Sequence, residues 1–136
     1  MPLTIATWNI NSIRLREGLV VRLLQEEKPD VICLQECKSL VEQIPTDEFA
    51  KLGYKYIIAR GQKAYNGVAI ASKFKINEIT RNLPIYDDEG LEDDQARFLH
   101  VKIFSCWNFY MSKFDRPKLP LISGLAVRIL KSNKVQ

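Results

Sequence analysis

The chain has one histidine and three cysteines in 136 residues. Cys33, Cys37 and Cys106 are odd in number and show no C-x-x-C spacing, so neither a disulfide framework nor a thiol metal knuckle is indicated. The histidine, His100, falls in a strand-like run, which argues against a zinc centre built from this set. Cys33 reads as a buried core thiol. No stretch approaches ~18 uninterrupted apolar residues, so no membrane span is expected. The first residues lack the basic-then-apolar order of a secretory signal. The cysteine count and spacing point to a reduced, cytoplasmic setting. No internal repeat and no low-complexity tract interrupts the chain, and its length allows one domain at most. With 46% hydrophobic and 26% charged residues it can bury a core.

Acidic residues are scarce at one end only. Residues 105–136 hold six Lys and Arg against a single Asp, a net of +5, whereas residues 1–104 hold 14 Lys and Arg against 15 Asp and Glu, a net of −1. The overall charge of +4 therefore lives in the tail. Bulk charge then does not decide whether the body meets nucleic acid; only the local placement of Arg14, Lys38, Lys63 and Arg97 bears on that. The residue pattern changes at the same point, near Ser105. The chain divides into a body over 1–104 and a divergent basic tail over 105–136.

The body is organised around two short strands. Thr4-Ile5-Ala6-Thr7-Trp8-Asn9-Ile10-Asn11-Ser12 reads as a strand running into a polar turn. Val31-Ile32-Cys33-Leu34-Gln35-Glu36 reads as a second strand ending on a carboxylate. Between them Ile13 to about Lys28 has helix length, with Ser12 as its cap, Pro29 as its stop and an apolar stripe of Ile13, Val20, Leu23 and Leu24. Strand, helix, strand over this length predicts a βαβ unit with parallel strands and a right-handed crossover. Asn9 and Glu36 then lie at the carboxyl edge of the sheet, where open α/β sheets hold ligands. By alternation Ile5, Thr7 and Asn9 share one face of their strand, and Ile32, Leu34 and Glu36 share one face of theirs. Glu is rarely buried without a partner. Glu36 therefore either reaches solvent past the strand end or holds a cation. A carboxylate with an amide oxygen and water is a hard-oxygen set that suits Mg²⁺.

Further along, Thr46 to Leu52 reads as a short helix ended by Gly53. Tyr54 to Ala59, Val68 to Ser72, Ile76 to Leu83 and Phe98 to Phe104 read as strands. Gly61 to Gly67 is a turn-rich loop, and Asp87 to Asp94 an acidic one. Trp107 to Met111 continues as a strand, and Gly124 to Lys131 reads as a short helix.

Three motifs then carry a resemblance. Trp8-Asn9-Ile10-Asn11-Ser12-Ile13-Arg14, Pro29-Asp30-Val31-Ile32-Cys33-Leu34-Gln35-Glu36 and Gly61-Gln62-Lys63-Ala64-Tyr65-Asn66-Gly67-Val68-Ala69-Ile70 are similar in order and spacing to the exonuclease III family of abasic-site (AP) endonucleases. That family lies in the endonuclease/exonuclease/phosphatase superfamily. Asp94-Gln95-Ala96-Arg97-Phe98 follows where a fourth motif belongs, and the resemblance covers about residues 3 to 104. Other superfamily members cleave inositol phosphates or sphingomyelin. The pairing of Trp-Asn-Ile-Asn-Ser with Tyr-Asn-Gly-Val-Ala looks like the DNA branch.

The resemblance implies a DNA repair nuclease (exodeoxyribonuclease III / AP endonuclease) that hydrolyses duplex DNA at abasic sites and 3′ ends. It implies Mg²⁺ as cofactor, with Mn²⁺ as the alternative. Glu36 maps to the metal-binding Glu, and Asn9 to an Asn that helps organise metal and scissile phosphate. Tyr110 maps to a phosphate-binding Tyr if its strand keeps register; otherwise it packs in the core. Asn11 lies where some relatives carry a second acidic metal-site residue. Arg14 resembles a backbone-phosphate contact, and Gln62, Tyr65, Asn66 and Gly67 stand in the loop that follows DNA, where the Gly67 N–H is placed to donate to a phosphate. Ala64 replaces a glycine often seen there. Lys38 either orients the metal site or is a solvated lysine, and Arg97 either anchors the acidic loop or forms a surface ion pair.

The family's Gly-Asp-x-Asn and terminal Ser-Asp-His motifs are absent. The expectation is therefore a truncated and impaired nuclease; the alternatives are a non-catalytic remnant, or half of a split enzyme that needs a second chain. The implied fold is α/β: the N-terminal half of a four-layer, DNase I-like sandwich, with one mixed sheet and helices on one face. The other sheet face would then be bare. Leaving ~500 Å² of it open forfeits ~12 kcal/mol, which predicts a marginal monomer and favours self-association, a partner chain or aggregation.

Overall fold

The computed structural model describes residues 3–80, 96, 98–103, 107–112 and 128–131. Strand β1 (Ile5–Asn9), helix α1 (Ile13–Glu26) and strand β2 (Val31–Gln35) form the expected crossover unit. A 3₁₀ turn (Val41–Gln43) and helix α2 (Thr46–Lys51) follow, then β3 (Tyr56–Arg60) and β4 (Val68–Ser72). The first sheet has the order β1-β2-β4-β3, with β1 parallel to β2 and the other pairs antiparallel. A second, antiparallel sheet is built from β5 (Ile76–Thr80), β6 (Phe98–Ile103), β7 (Trp107–Ser112) and β8 (Arg128–Lys131), in chain order. Among the described residues no helix is long and apolar enough to cross a membrane.

Every residue of β2 and β4 is buried, because both faces of the first sheet are covered. On one face Ile32, Leu34, Ala69 and Ala71 pack against Ile13, Val20 and Leu24 of α1 and against Ile44, Phe49 and Tyr54. The apolar stripe read for α1 is thus the one it buries. On the other face Val31, Cys33, Val68 and Ile70 meet Leu99, Val101 and Ile103 of β6. This corrects the expectation of a bare face. A strand exposing alternate apolar residues needs a partner layer, and β6 presents that period-2 row to the first sheet. The argument for a marginal, self-associating monomer loses its basis here.

Three local expectations also change. Ser12 sits at the start of α1 but makes no side-chain cap bond, because its backbone is left-handed (φ 89°). The N–H groups of Ser12 and Ile13 go instead to the carbonyls of Glu36 and Cys37, at 2.8 and 3.0 Å. Arg128–Lys131 is a strand and not the end of a helix; the ladder to β7, from Trp107↔Lys131 to Tyr110↔Arg128, overrides the local pattern. Residues 124–127, 81–83 and the acidic loop at 87–94 lie outside the described residues. The third strand begins at Tyr56, with Tyr54 buried ahead of it.

Tyr54 fastens the edge of the sheet opposite to Asn9. Its hydroxyl donates to the Pro29 carbonyl at 2.5 Å, and the Lys73 ammonium lies 5.5 Å over its ring. Lys73 Nζ donates to the Lys28 carbonyl at 3.0 Å, and Asp30 Oδ2 accepts from the Thr4 N–H and hydroxyl at 2.8 and 2.9 Å. Burial, and secondarily the Asp30 charge, push the Tyr54 phenol up to about 12.

Two predictions follow from this packing. Leu99→Ala, at a fully buried position between the sheets, is expected to cost about 2–5 kcal/mol in urea unfolding; a cost near zero would mean that the sheets do not meet. Tyr54→Phe leaves the Pro29 carbonyl unsatisfied and is expected to cost about 1–3 kcal/mol at pH 7. Between pH 10 and 12 the unfolded chain loses this phenolic proton while the folded chain keeps it. Wild-type stability therefore falls with rising pH across that window, and the fall should be shallower in Tyr54→Phe.

Candidate functional site

Asn9 ends β1 and Gln35 ends β2, paired by register at the carboxyl edge of the parallel pair. The side chains confirm the shared face: Gln35 Nε2 donates to Thr7 Oγ1 at 3.1 Å. Ile5, Thr7 and Asn9 thus belong to the face that meets the second sheet, whereas Ile32 and Leu34 face the helices. Glu36 does not continue the Ile32–Leu34 row. The strand has ended, and Glu36 is left-handed, with φ 51°. Its direction is set by the turn and not by strand alternation.

Three loops meet at this edge and are sewn together through their backbones. Ile10 N–H donates to the Gln35 carbonyl at 3.0 Å and Ser12 N–H to the Glu36 carbonyl at 2.8 Å, which joins the β1–α1 loop to the end of β2. Cys37 N–H donates to the Gly67 carbonyl at 3.0 Å and Lys38 N–H to the Asn66 carbonyl at 2.8 Å, which joins the β3–β4 loop. Gly67 N–H donates to the Ala96 carbonyl at 2.9 Å, just ahead of β6. Gln62 braces the same corner. Its N–H donates to the Ser39 carbonyl at 3.1 Å, and its Oε1 accepts from Asn66 Nδ2 and Ala96 N at 3.2 and 3.1 Å.

Backbone strain is concentrated here. Among the described residues nine have left-handed φ, and seven of them, Asn11, Ser12, Glu36, Lys38, Ala64, Asn66 and Gly67, stand in these loops. Six of the seven carry a Cβ, which costs about 1–2 kcal/mol each in that region. Such strain persists only where surrounding bonds over-determine it, and it gathers at functional sites.

The candidate residues separate by what they touch. Asn9, Asn11, Arg14, Lys63 and Tyr65 are exposed, Tyr65 by 69% at the tip of the β3–β4 loop. Glu36 and Lys38 are half-buried, and Lys38 Nζ donates to Asn11 Oδ1 at 2.5 Å. Gln62 and Asn66 brace the loop. Gly67 is buried and its N–H is held by Ala96, so it shapes the turn and does not offer the N–H donor read from its position. Ala64 adopts φ 65°, the conformation a glycine would take without cost.

Tyr110 lies opposite His100 in the β6–β7 ladder. β7 ends at Ser112 opposite Phe98, two residues from Ala96, so its C-terminal end runs toward the sewn loops. Arg97 and Cys106 lie outside the described residues. Cys33 and Cys37 are buried free thiols, and burial pushes both up to about 12.

Sequence reasoning missed two residues of this corner. Arg16, in the first turn of α1, turns back so that Nη1 donates to the Asn11 carbonyl at 2.5 Å. Gly61, read as an ordinary turn glycine, lies against backbone: a Cβ there would stand 2.6 Å from Val41 N and 2.8 Å from Ser39 O. No sequence signal marks either contact, since both depend on how the loops stack.

A divalent cation fits this edge with few protein ligands. Among the described residues no group of three or more His, Cys, Asp or Glu side chains gathers to hold a metal. Among the described residues the edge offers one carboxylate, Glu36, and the Asn9 amide oxygen. Mg²⁺ takes one or two carboxylates and fills its shell with water and phosphate, so the donor chemistry agrees with that ion.

The fold and these motifs together place the chain. A model of the Endonuclease/Exonuclease/phosphatase family matches residues 6–122, and the chain belongs to that family. Within it, the chain is 36% identical over 108 residues to a DNA-(apurinic or apyrimidinic site) endonuclease of Dictyostelium discoideum, covering 73% of this chain and 29% of that protein. It is 34% identical over 93 residues to exodeoxyribonuclease III of Haemophilus influenzae, covering 68% and 33%. Among solved structures it is similar to a 3′ phosphatase, NExo, from Neisseria bound to product DNA hairpin, with TM-score 0.71, 32% identity, and 80% and 40% of the two chains covered. It is also similar to an AP endonuclease from Archaeoglobus fulgidus, with TM-score 0.66, 37% identity, and 76% and 38% covered. The chain thus spans about a third of the length of these curated relatives.

The loop corner yields a stability contrast. Gly61→Ala, which must push backbone aside, and Gly67→Ala, which combines φ 86° with contacts of 3.2 Å to Cys37 Cβ and Lys38 N, are each expected to cost about 1–3 kcal/mol. Tyr65→Ala is expected to stay within about 0.5 kcal/mol. Chemical denaturation of the three variants checks this.

Proposed function

We propose that this chain carries the metal-binding and DNA-facing loops of a DNA repair nuclease of the exonuclease III type. The reaction is phosphodiester hydrolysis at abasic sites and 3′ ends of duplex DNA. The observation that carries the reading is the strained, backbone-sewn corner that gathers Asn9, Glu36 and the Gln62–Gly67 loop at one sheet edge. The names of the relatives supply the substrate class.

In this reading Glu36 and Asn9 hold Mg²⁺, with Mn²⁺ as substitute. The ion, when bound, neutralises charge on the phosphate and on the leaving oxygen. Arg14 and Tyr65 face the DNA backbone. Gln62, Asn66 and Gly67 keep their loop in the shape that presents Tyr65, and Tyr110, on β7, is the phosphate-binding tyrosine of this reading. The buried thiols Cys33 and Cys37 suit a reducing, cytoplasmic compartment.

A second reading has a specific observation in its favour. The chain spans 29–40% of the relatives and solved structures compared, and it holds neither Gly-Asp-x-Asn nor a terminal Ser-Asp-His. Groups that act as a unit lose orders of magnitude when part is missing. On this reading the chain supplies one portion of the active site, and residues outside it, on the same or another chain, supply the rest.

One experiment tests both. A duplex oligonucleotide with a single abasic site is incubated with the chain, with Mg²⁺ or with EDTA, beside Glu36→Ala. Incision that needs Mg²⁺ and drops about 100-fold or more in Glu36→Ala supports the first reading. No incision by the chain alone, but incision after adding the C-terminal two-thirds of the Haemophilus enzyme, supports the second. Incision that persists in Glu36→Ala refutes the placement of the metal.

A further inference from the structure

Both oxygens of Asn11 are held by cationic side chains. Lys38 Nζ donates to its amide oxygen and Arg16 Nη1 to its main-chain oxygen, each at 2.5 Å. Asn11, Ser12 and Lys38 all have left-handed backbones. Ser12 gives α1 no side-chain cap, and its N–H is held by the Glu36 carbonyl. The turn after β1 is therefore fixed from two sides, by α1 through Arg16 and by the loop after β2 through Lys38 and Glu36. Asn11 stands two residues after Asn9, where some relatives carry a second acidic metal-site residue. The geometry takes its amide oxygen away.

We propose that Lys38 and Arg16 are positioning residues that withhold Asn11 from the divalent cation at Glu36, leaving a site with one carboxylate among the described residues that holds the ion weakly until a phosphate arrives with it. The proposal rests on the assignment of the cation to Glu36 and Asn9. An amide oxygen that accepts from an ammonium cannot also face a divalent ion without setting two positive centres across one atom. Mg²⁺ gives up water reluctantly, and a site with few protein oxygens leaves most of its shell to water and phosphate. The same two cations favour an incoming phosphate oxygen.

The probe is Mn²⁺ alone, titrated into the full chain and followed by the loss of the free-ion electron paramagnetic resonance signal. Each variant is first checked for cooperative melting. Lys38→Gln removes the ammonium and frees Asn11 Oδ1, and is expected to tighten Mn²⁺ binding about tenfold or more. Lys38→Arg, which keeps charge and donor, should bind as the wild type does. Asn11→Ala combined with Lys38→Gln should lose most of the gain, which separates a released ligand from mere relief of repulsion. Should Lys38→Gln fail to melt cooperatively, Arg16→Gln reads the release of the other Asn11 oxygen, again as tighter binding. Three results overturn the proposal: Lys38→Gln binding no tighter than wild type, the double variant binding as tightly as Lys38→Gln, or Glu36→Gln binding as the wild type does. None of these readouts requires turnover, so a chain that incises no DNA yet shows the expected Mn²⁺ series loses the activity and keeps the clamp.

Discussion

The structure depends on the backbone bonds that tie the loop after β2 to its two neighbours. Residues 36–38 donate to Asn66 and Gly67 on one side and accept from Ser12 and Ile13 on the other. These bonds do the work of a helix cap for α1, since Ser12 cannot supply it. They also hold Glu36 and Lys38 in left-handed conformations that neither residue would adopt alone. The strain and the bonds are two sides of one arrangement: without the neighbouring loops the turn would relax, and without the turn Glu36 would follow the strand into the helix-facing core.

A second constraint is two-sided burial. β2 and β4 are the centre of the first sheet, and each face of them needs its own cover. The helices supply one cover and the row Leu99, Val101, Ile103 supplies the other. This places Ala96, just ahead of β6, against Gly67. The packing of the two sheets and the shape of the β3–β4 loop are therefore coupled: β6 both closes the core and anchors the loop that presents Tyr65. Position along the chain gives no hint of this, since Ala96 is 29 residues from Gly67.

Much of this was legible beforehand, for reasons that can be stated residue by residue. Periods of 2 and 3.6 marked β1, α1 and β2, and the lengths between them required a parallel crossover, so the placement of Asn9 and Glu36 at one edge followed. The motifs identified the family because they are contiguous runs. What failed was the inference from missing sequence to missing cover. β5 to β7 were read as strands and β8 as the end of a helix, and no pattern within a strand says which neighbour it pairs with or which sheet it faces. Arg128–Lys131 became a strand only because β7 offered it a ladder.

The sequence by itself determined the crossover unit, the apolar stripe of α1, the family and the identity of the candidate ligands, because each is written in local spacing or in contiguous runs. Tertiary structure alone decided what those residues do with their atoms. It turned Arg16 and Lys38 onto Asn11, spent the Gly67 N–H on Ala96, and made Gly61 a contact between backbones. The physical reason is that hydrogen-bond partners and close backbone approaches are set by the stacking of loops distant in sequence, and strain at φ > 0 is tolerated only after that stacking exists.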